Sequence, residues 1–139
     1  ISLGLVGSEM CIRDRDRAWE DVRFGFRIAK ESSGLDIGQS VVVRHGTVLA
    51  VEAFEGTNAC IRRGAELGRG KSVTLVKVSK PNQDFRFDVP VIGAQTIRTC
   101  AEVGVQVIAV EAAKTLVLEK ELVAQLCEQH RVSLVATAG

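Results

Sequence analysis

The sequence predicts an α/β fold: a mostly parallel sheet with helices on both faces, preceded by an N-terminal helix and a β-hairpin. Short runs rich in β-branched residues alternate along the chain with segments whose apolar residues recur every three or four positions, which is the helical period. Several of these runs are apolar throughout, as expected of strands in a parallel sheet that is covered on both faces. With 139 residues, 46% hydrophobic and 25% charged, the chain has the size of one domain and the composition of a globular protein.

Charge and hydropathy argue against two classes of protein. Eighteen basic and 17 acidic residues give a net charge of +1, and the basic residues form no stripe, so we expect no nucleic-acid partner. No apolar run approaches the roughly 20 residues that a membrane-spanning helix needs. The cysteines form no Cys-x-x-Cys pair, which argues against a zinc site and suits a reducing compartment. The four cysteines are Cys11, Cys60, Cys100 and Cys127, and we interpret most of them as core residues.

Residues 1–15 differ in character from the rest of the chain. They do not begin with methionine and lack the basic start of a signal peptide. The whole string resembles a translated sequencing-adapter read-through. We therefore predict that residues 1–15 are non-native, that residues 16–139 form the domain, and that the native chain began further upstream.

The domain is predicted to begin with a helix and a hairpin. Apolar residues recur at helical spacing from Asp16 to Ser33, where a Ser-Ser-Gly sequence ends the helix. Residues 39–44 and 47–52 are two β-rich runs, separated by the length of a two-residue turn, His45-Gly46. We therefore interpret His45 as a turn residue and not as a catalytic base.

The turn after the hairpin, Glu55-Gly56-Thr57, has two interpretations. Backbone N–H groups at a helix start bind phosphate readily. Thr57 is also a good N-cap for a helix over residues 58–67, and this capping interpretation is favoured. Residues 65–72 resemble a P-loop, but they lack its first glycine and lie between a helix and a strand in the reverse order. We reject a P-loop here.

Residues 77–93 concentrate charge and both prolines in one span. They follow an apolar strand over residues 73–78, which Pro81 prevents from continuing as a central strand. Pro90 favours an extended, stiffened connection. Open α/β folds bind ligands at the carboxyl ends of their strands, so this span is the first candidate for a chemical site. An ordinary solvated loop is the alternative.

The remaining residues continue the alternation of helices and strands. A helix ends at Gly104, a strongly apolar strand follows, and His130 is interpreted as the last residue of an amphipathic helix, where the helix dipole favours it. The predicted elements are a helix over 94–103, a strand over 105–111, a short edge strand over 115–118, a helix over 119–130 and a strand over 132–137.

Four segments resemble the C-terminal domain of the LpxI family of UDP-2,3-diacylglucosamine pyrophosphatases in both order and spacing: residues 36–43, 50–57, 77–84 and 86–93. The resemblance extends from Asp16 to the C-terminus. It implies magnesium-dependent hydrolysis of UDP-2,3-diacylglucosamine to UMP and 2,3-diacylglucosamine 1-phosphate, a step of lipid A biosynthesis. It also implies a cytoplasmic protein, with peripheral association at the inner membrane.

The family has a further N-terminal domain, and its site lies between the two domains. That domain is missing from residues 16–139, so the resemblance implies that this fragment is inactive or weakly active by itself.

The resemblance also implies roles for individual residues. Asp88 resembles the essential aspartate of the family, and we expect it to act in catalysis and, with Asp84, in metal binding. Hydrolysis of a pyrophosphate needs carboxylates that hold a hard cation, together with donors that take up phosphoryl charge. The candidate substrate-binding residues are Lys77, Lys80 and Gln83 first, and Glu55, Gly56 and Thr57 second.

Two other functions remain open from the sequence. A non-enzymatic α/β binding domain explains the composition equally well. A different nucleotide-sugar phosphohydrolase on the same fold is the second alternative, because a fold does not fix a function.

Overall fold

The structure is a computed structural model that describes residues 2–6, 12–81 and 89–139, with side chains from Arg13 onward. Helices and strands alternate through most of it. The elements are β1 (Ser2–Val6), α1 (Ile12–Gly34), β2 (Ser40–Arg44), β3 (Thr47–Val51), α2 (Thr57–Leu67), β4 (Val73–Lys77), β5 (Val91–Ile92), α3 (Ala94–Val103), β6 (Val105–Glu111), β7 (Leu116–Val117), α4 (Lys120–His130) and β8 (Ser133–Thr137).

The main sheet has six strands in the order β1-β8-β6-β4-β2-β3. Strands β4, β6 and β8 pair in parallel at its centre. The β2–β3 hairpin continues the sheet on one side, with β2 antiparallel to β4, and β1 lies antiparallel to β8 on the other. Four of the six strands, β3, β4, β6 and β8, therefore run in the same direction. The predicted fold class is confirmed.

Helices cover both faces of this sheet. Alternate residues of β2 belong to different cores: Val42 packs in the cluster with α2, α3 and α4, while Val41 and Val43 pack in the cluster with α1. All three valines are 0% exposed, which explains why this strand is apolar throughout. Of the described helices, α1 packs on one face, and α2, α3 and α4 pack on the opposite face.

The hairpin turn is the predicted one. His45 and Gly46 have φ values of 47° and 72°, and two-residue hairpin turns of this kind require positive φ at both positions. Asp21 in α1, which is buried, accepts hydrogen bonds from both of their backbone N–H groups, at 2.8 Å each. His45 is therefore confirmed as a turn residue.

The structure corrects two local predictions. Thr57 does not cap α2 but is its first residue, and Gly56 occupies the N-cap with φ of 90° and no side-chain cap. The Thr57 hydroxyl instead donates to Glu52, whose carboxylate accepts it. The strand near residues 115–118 is not an edge strand of the main sheet. It pairs in parallel with β5 as a separate two-stranded sheet, in which the N–H groups of Leu116 and Leu118 donate to the carbonyl oxygens of Pro90 and Ile92.

Residues 2–6, outside the domain predicted from the sequence, form strand β1 and pair with β8. The free edge of a sheet presents unpaired N–H and C=O groups that an extended segment can join. The non-native origin of residues 1–15 stays a prediction. In the described part of the chain, every helix is too short or too polar to cross a bilayer.

Candidate active site at the carboxyl edge of the sheet

Strands β3, β4, β6 and β8 all end at one edge of the sheet, which we call the carboxyl edge. The connections from β3 to α2, from β4 to β5 and from β6 to β7 leave from this edge. The end of α1 also lies here, because Lys30 contacts the residues that follow β4. Ligands of open α/β sheets bind at this kind of edge, so the carboxyl edge is the candidate active site of this fold.

Glu111, the last residue of β6, is the most buried acidic side chain at this edge, at 5% exposure. Lys30 of α1 donates to both of its carboxylate oxygens, at 3.1 and 3.0 Å. The backbone N–H and the hydroxyl of Ser79 both donate to Oε2, at 3.1 Å each. Lys30 also donates to the carbonyl oxygen of Ser79, at 3.0 Å, so the three residues form a closed network.

This network keeps the Glu111 carboxylate ionised. Burial raises its pKa, but the hydrogen bonds from Lys30 and Ser79 and the charge of Lys30 outweigh burial, so the pKa of Glu111 lies below its ordinary value. Lys114 adds a second cation, 3.3 Å from Oε1. The network therefore fixes the chain immediately after β4, where the connection to β5 begins.

The two predicted lysines lie at the end of β4, and both have partners. Lys77 is half-buried and donates to the carbonyl oxygen of Val91, at 3.3 Å. Lys80 lies 2.6 Å from Asp36, in an exposed pair that lowers the pKa of Asp36 through its hydrogen bond and its charge. These lysines bring positive charge to the carboxyl edge on either side of Ser79.

Glu55, a predicted substrate-binding residue, is paired with Arg63 on the surface. Arg63 donates to Oε1 of Glu55 at 2.6 Å, to Oε2 at 3.3 Å and to the carbonyl oxygen of Val51 at 3.1 Å. The hydrogen bond from Arg63 lowers the pKa of Glu55. Gly56, the next residue, has open space around it. Glu55 thus ties α2 to the end of β3.

Glu52 in the same turn has a different environment, which sequence reasoning missed. Its Oε1 accepts the Thr57 hydroxyl at 3.2 Å, while its Oε2 is sealed from solvent and has no hydrogen-bond partner among the described residues. The position of Glu52 directly after β3 could have identified it as a site residue, because β3 ends at the same edge of the sheet as β4. Glu111 lies in a segment, residues 110–112, that also fits the family resemblance, but its partners Lys30 and Ser79 lie 81 and 32 positions away and could not be read from the sequence.

Three of the predicted site residues, Gln83, Asp84 and Asp88, lie outside the described residues, so their roles stay predictions. Within residues 13–81 and 89–139, no group of three or more His, Cys, Asp or Glu side chains is arranged to hold a metal ion. Cys60 and Cys100 are buried, and burial raises the pKa of each thiol to about 12. These two thiols are therefore core groups and not nucleophiles.

Exposed apolar side chains lie at this edge, and we call them the apolar rim. Seven large apolar residues in the described part of the chain are exposed. Five of them belong to connections at the carboxyl edge, Leu116 belongs to the short strand β7 that follows one of these connections, and Leu67 lies at the end of α2. The extreme case is Phe54, at 105% exposure. The members of the apolar rim are Leu35, Ile37, Phe54, Val89, Leu116 and Leu118.

Comparison with known proteins agrees with the resemblance found in the sequence. The family model of the LpxI C-terminal domain matches residues 7–135. A curated relative, the UDP-2,3-diacylglucosamine pyrophosphatase LpxI of Caulobacter vibrioides, is 44% identical over 110 residues, which cover 74% of this chain and 39% of the relative. The chain thus spans about two fifths of the length of that relative. By both measures, this chain belongs to the LpxI family, and it matches the C-terminal domain of that family.

Proposed function

We propose that this chain is the C-terminal half of a pyrophosphatase that hydrolyses UDP-2,3-diacylglucosamine to UMP and 2,3-diacylglucosamine 1-phosphate in lipid A biosynthesis. The observation that carries the proposal is the 44% identity to the Caulobacter relative, which bears that activity in its name. The geometry supports it, because the described parts of the segments that resemble the family, residues 36–43, 50–57 and 77–81, include the chain at the carboxyl ends of β3 and β4.

The described residues at this edge suit a phosphorylated substrate. Lys77 and Lys80, whose partners include a carbonyl oxygen and the exposed Asp36, would bind phosphoryl oxygens in the complex. Electrostatic stabilisation of those oxygens is the main task of an enzyme in phosphoryl transfer. Asp84 and Asp88 belong to the connection that leaves β4 at this edge and returns to β5. In this proposal Asp88 orients water or holds the cation.

The described residues supply one carboxylate that suits a divalent cation, and the proposal takes its further ligands from the β4–β5 connection. Magnesium, when bound, would polarise a phosphoryl oxygen and lower the pKa of a bound water. Protein sites for Mg²⁺ commonly use one or two carboxylates and leave the remaining positions to water and substrate phosphates. The unpartnered Oε2 of Glu52 is such a donor, and Asp84 and Asp88 are further proposed ligands.

The apolar rim supports a substrate with acyl chains. A soluble monomer rarely clusters large exposed apolar side chains, and such clusters mark binding surfaces. The rim lies at the same edge as the proposed phosphate site, so a substrate with a polar diphosphate and apolar chains would contact both. We propose that the protein works in the cytoplasm and meets its lipid substrate at the face of the inner membrane.

The test uses a full-length protein in which residues 16–139 replace the matching segment of the Caulobacter relative. We expect it to release UMP from UDP-2,3-diacylglucosamine in the presence of Mg²⁺ and to act poorly on UDP-sugars without acyl chains. The 139-residue chain should turn over slowly by itself, because substrate orientation supplies up to about 7–11 kcal/mol of catalysis. Absence of hydrolysis in the full-length protein would favour a non-enzymatic domain, and equal rates on non-acylated substrates would favour another nucleotide-sugar phosphohydrolase.

Asp88→Asn is expected to lower kcat of the full-length protein by about 10²-fold or more, the scale of losing one acid–base or electrostatic group. Asparagine keeps the size of the side chain and removes its charge, so the melting temperature should barely change. Both quantities are measured on one preparation. Asp16→Asn, at an exposed position in α1, is the matched control and should change neither. Hydrolysis that survives Asp88→Asn would remove Asp88 from the site.

A further inference from the structure

Two acids of the β3–α2 turn, Glu52 and Glu55, lie three residues apart and differ in whether their charge is already neutralised. Glu55 is exposed and is bound by Arg63 through two hydrogen bonds, at 2.6 and 3.3 Å. A carboxylate held by a guanidinium in this bidentate manner has little capacity left for a cation. Glu55 therefore serves the attachment of α2 to β3.

Glu52 has no such partner. Its only side-chain hydrogen bond among the described residues comes from the neutral Thr57 hydroxyl, at 3.2 Å, and it takes part in no ion pair there. Its other oxygen is buried without a partner. An unsatisfied buried group costs roughly 1–3 kcal/mol, and more when the group is charged. A bound cation would give Oε2 of Glu52 the partner that the described residues do not provide.

The backbone of Glu52 is held in place from two sides. Its N–H donates to the carbonyl oxygen of Ser40 at 2.9 Å. Gly38 approaches it so closely that a Cβ on Gly38 would lie 2.0 Å from the Glu52 carbonyl oxygen. Functional groups that are fixed in this way bind ligands with little loss of conformational freedom.

Glu52 lies across strand β2 from Lys77, a candidate phosphate-binding residue. Ser40, which bonds Glu52, is the register partner of Lys77 in β4. Glu52 and Lys77 are therefore in one row across the sheet, separated by one strand. Two strand spacings amount to roughly 10 Å. Ser40, which lies between them, is 0% exposed, so a ligand that contacts both side chains would lie at the strand ends and not along this row.

We infer that Glu52, and not Glu55, is the carboxylate of this turn that binds the divalent cation used in the hydrolysis. Its role in turnover rests on the proposed function, whereas its binding of a cation does not. The assignment of Glu55 as a substrate-binding residue stays a prediction.

The test is a titration of the 139-residue chain with millimolar Mn²⁺ alone, followed by the electron paramagnetic resonance signal of free Mn²⁺. We expect Glu52→Gln to weaken Mn²⁺ binding at least tenfold. Glu55→Gln, the matched control in the same turn, should leave the affinity within twofold of the wild type. Glu52→Asp keeps the charge but shortens the side chain by one methylene group. It should therefore weaken Mn²⁺ binding, while the melting temperature stays close to that of the wild type.

Each result decides the inference separately from the proposed function. Equal Mn²⁺ affinity in the wild type and Glu52→Gln, a selective loss in Glu55→Gln, or a wild-type chain that binds no Mn²⁺ would overturn it. Hydrolysis by the full-length protein together with unaltered Mn²⁺ binding in Glu52→Gln would keep the function and discard the inference. Loss of Mn²⁺ binding in Glu52→Gln without hydrolysis by the wild-type protein would keep the inference and discard the proposed function.

Discussion

Glu111→Gln is expected to lower the free energy of unfolding at neutral pH by about 3 kcal/mol, the lower end of the range for breaking a buried ion pair from one side. The Glu111 side chain is 6% exposed and that of Lys30 is 27% exposed. Water can therefore hydrate the Lys30 ammonium group in the variant and reduce the loss of stability. Urea denaturation of the two proteins measures the difference. Glu102→Gln, in the exposed pair with Arg62, is the control and should change stability by less than about 1 kcal/mol.

The same pair of proteins should differ in their dependence on pH. The folded-state pKa of Glu111 lies below its ordinary value of 4.5, so its contribution to stability is present above that value and is lost as the pH falls through the folded-state pKa. The gap between the wild type and Glu111→Gln should therefore shrink below about pH 4.5. Asp36 and Glu55 also have lowered pKa values, but they titrate in both proteins. A gap that stays constant with pH would show that the lost interaction is not ionic.

Gly38→Ala is expected to destabilise the fold by about 3 kcal/mol or more, the upper end of the cost of overpacking. The added Cβ would lie 2.0 Å from the carbonyl oxygen and 2.6 Å from the carbonyl carbon of Glu52. Both are backbone atoms that hydrogen bonds hold in place, so the α1–β2 connection would have to move away from the end of β3. The melting temperature and the Mn²⁺ affinity of the variant should fall together.

The control for this substitution is Gly34→Ala, four positions earlier, where the nearest heavy atom to the added Cβ is Pro81 Cγ at 3.7 Å. That distance is an ordinary contact, and alanine is the better helix former at the end of α1, so the melting temperature should be unchanged or slightly higher. A Gly38→Ala protein as stable as Gly34→Ala would mean that the connection shifts freely and that its closeness to Glu52 is not required.

Much of the fold could be predicted from the sequence because its signals are local. The run over β2 is apolar at every position, and the structure buries it on both faces. The length of the His45-Gly46 turn predicted the hairpin, since only a two-residue connection separates the strands. Strand β5 was missed because it is two residues long and pairs only with β7, which is far away in sequence.

The site could be predicted only in part, because its contacts are not local. Lys30 and Ser79 meet Glu111 across 81 and 32 positions, and only the strand order of the sheet brings them together. For Glu52 and Glu55, composition and spacing could not show which acid Arg63 would neutralise. Thr57 was predicted as a cap from its residue type, but a carboxylate five positions earlier takes its hydrogen bond.

The contact of Asp21 with the hairpin turn has a consequence for the order in which the chain folds. Asp21 joins α1 to His45 and Gly46 across only 24 and 25 positions, and it is 3% exposed. The entropy lost on closing a loop grows with its length, so these contacts form at lower cost than the contact of Lys30 with Glu111 across 81 positions. We therefore expect the first helix and the hairpin to assemble as one early unit. The edge that carries Glu111 and Lys77 would then be completed last, when the central parallel strands join it.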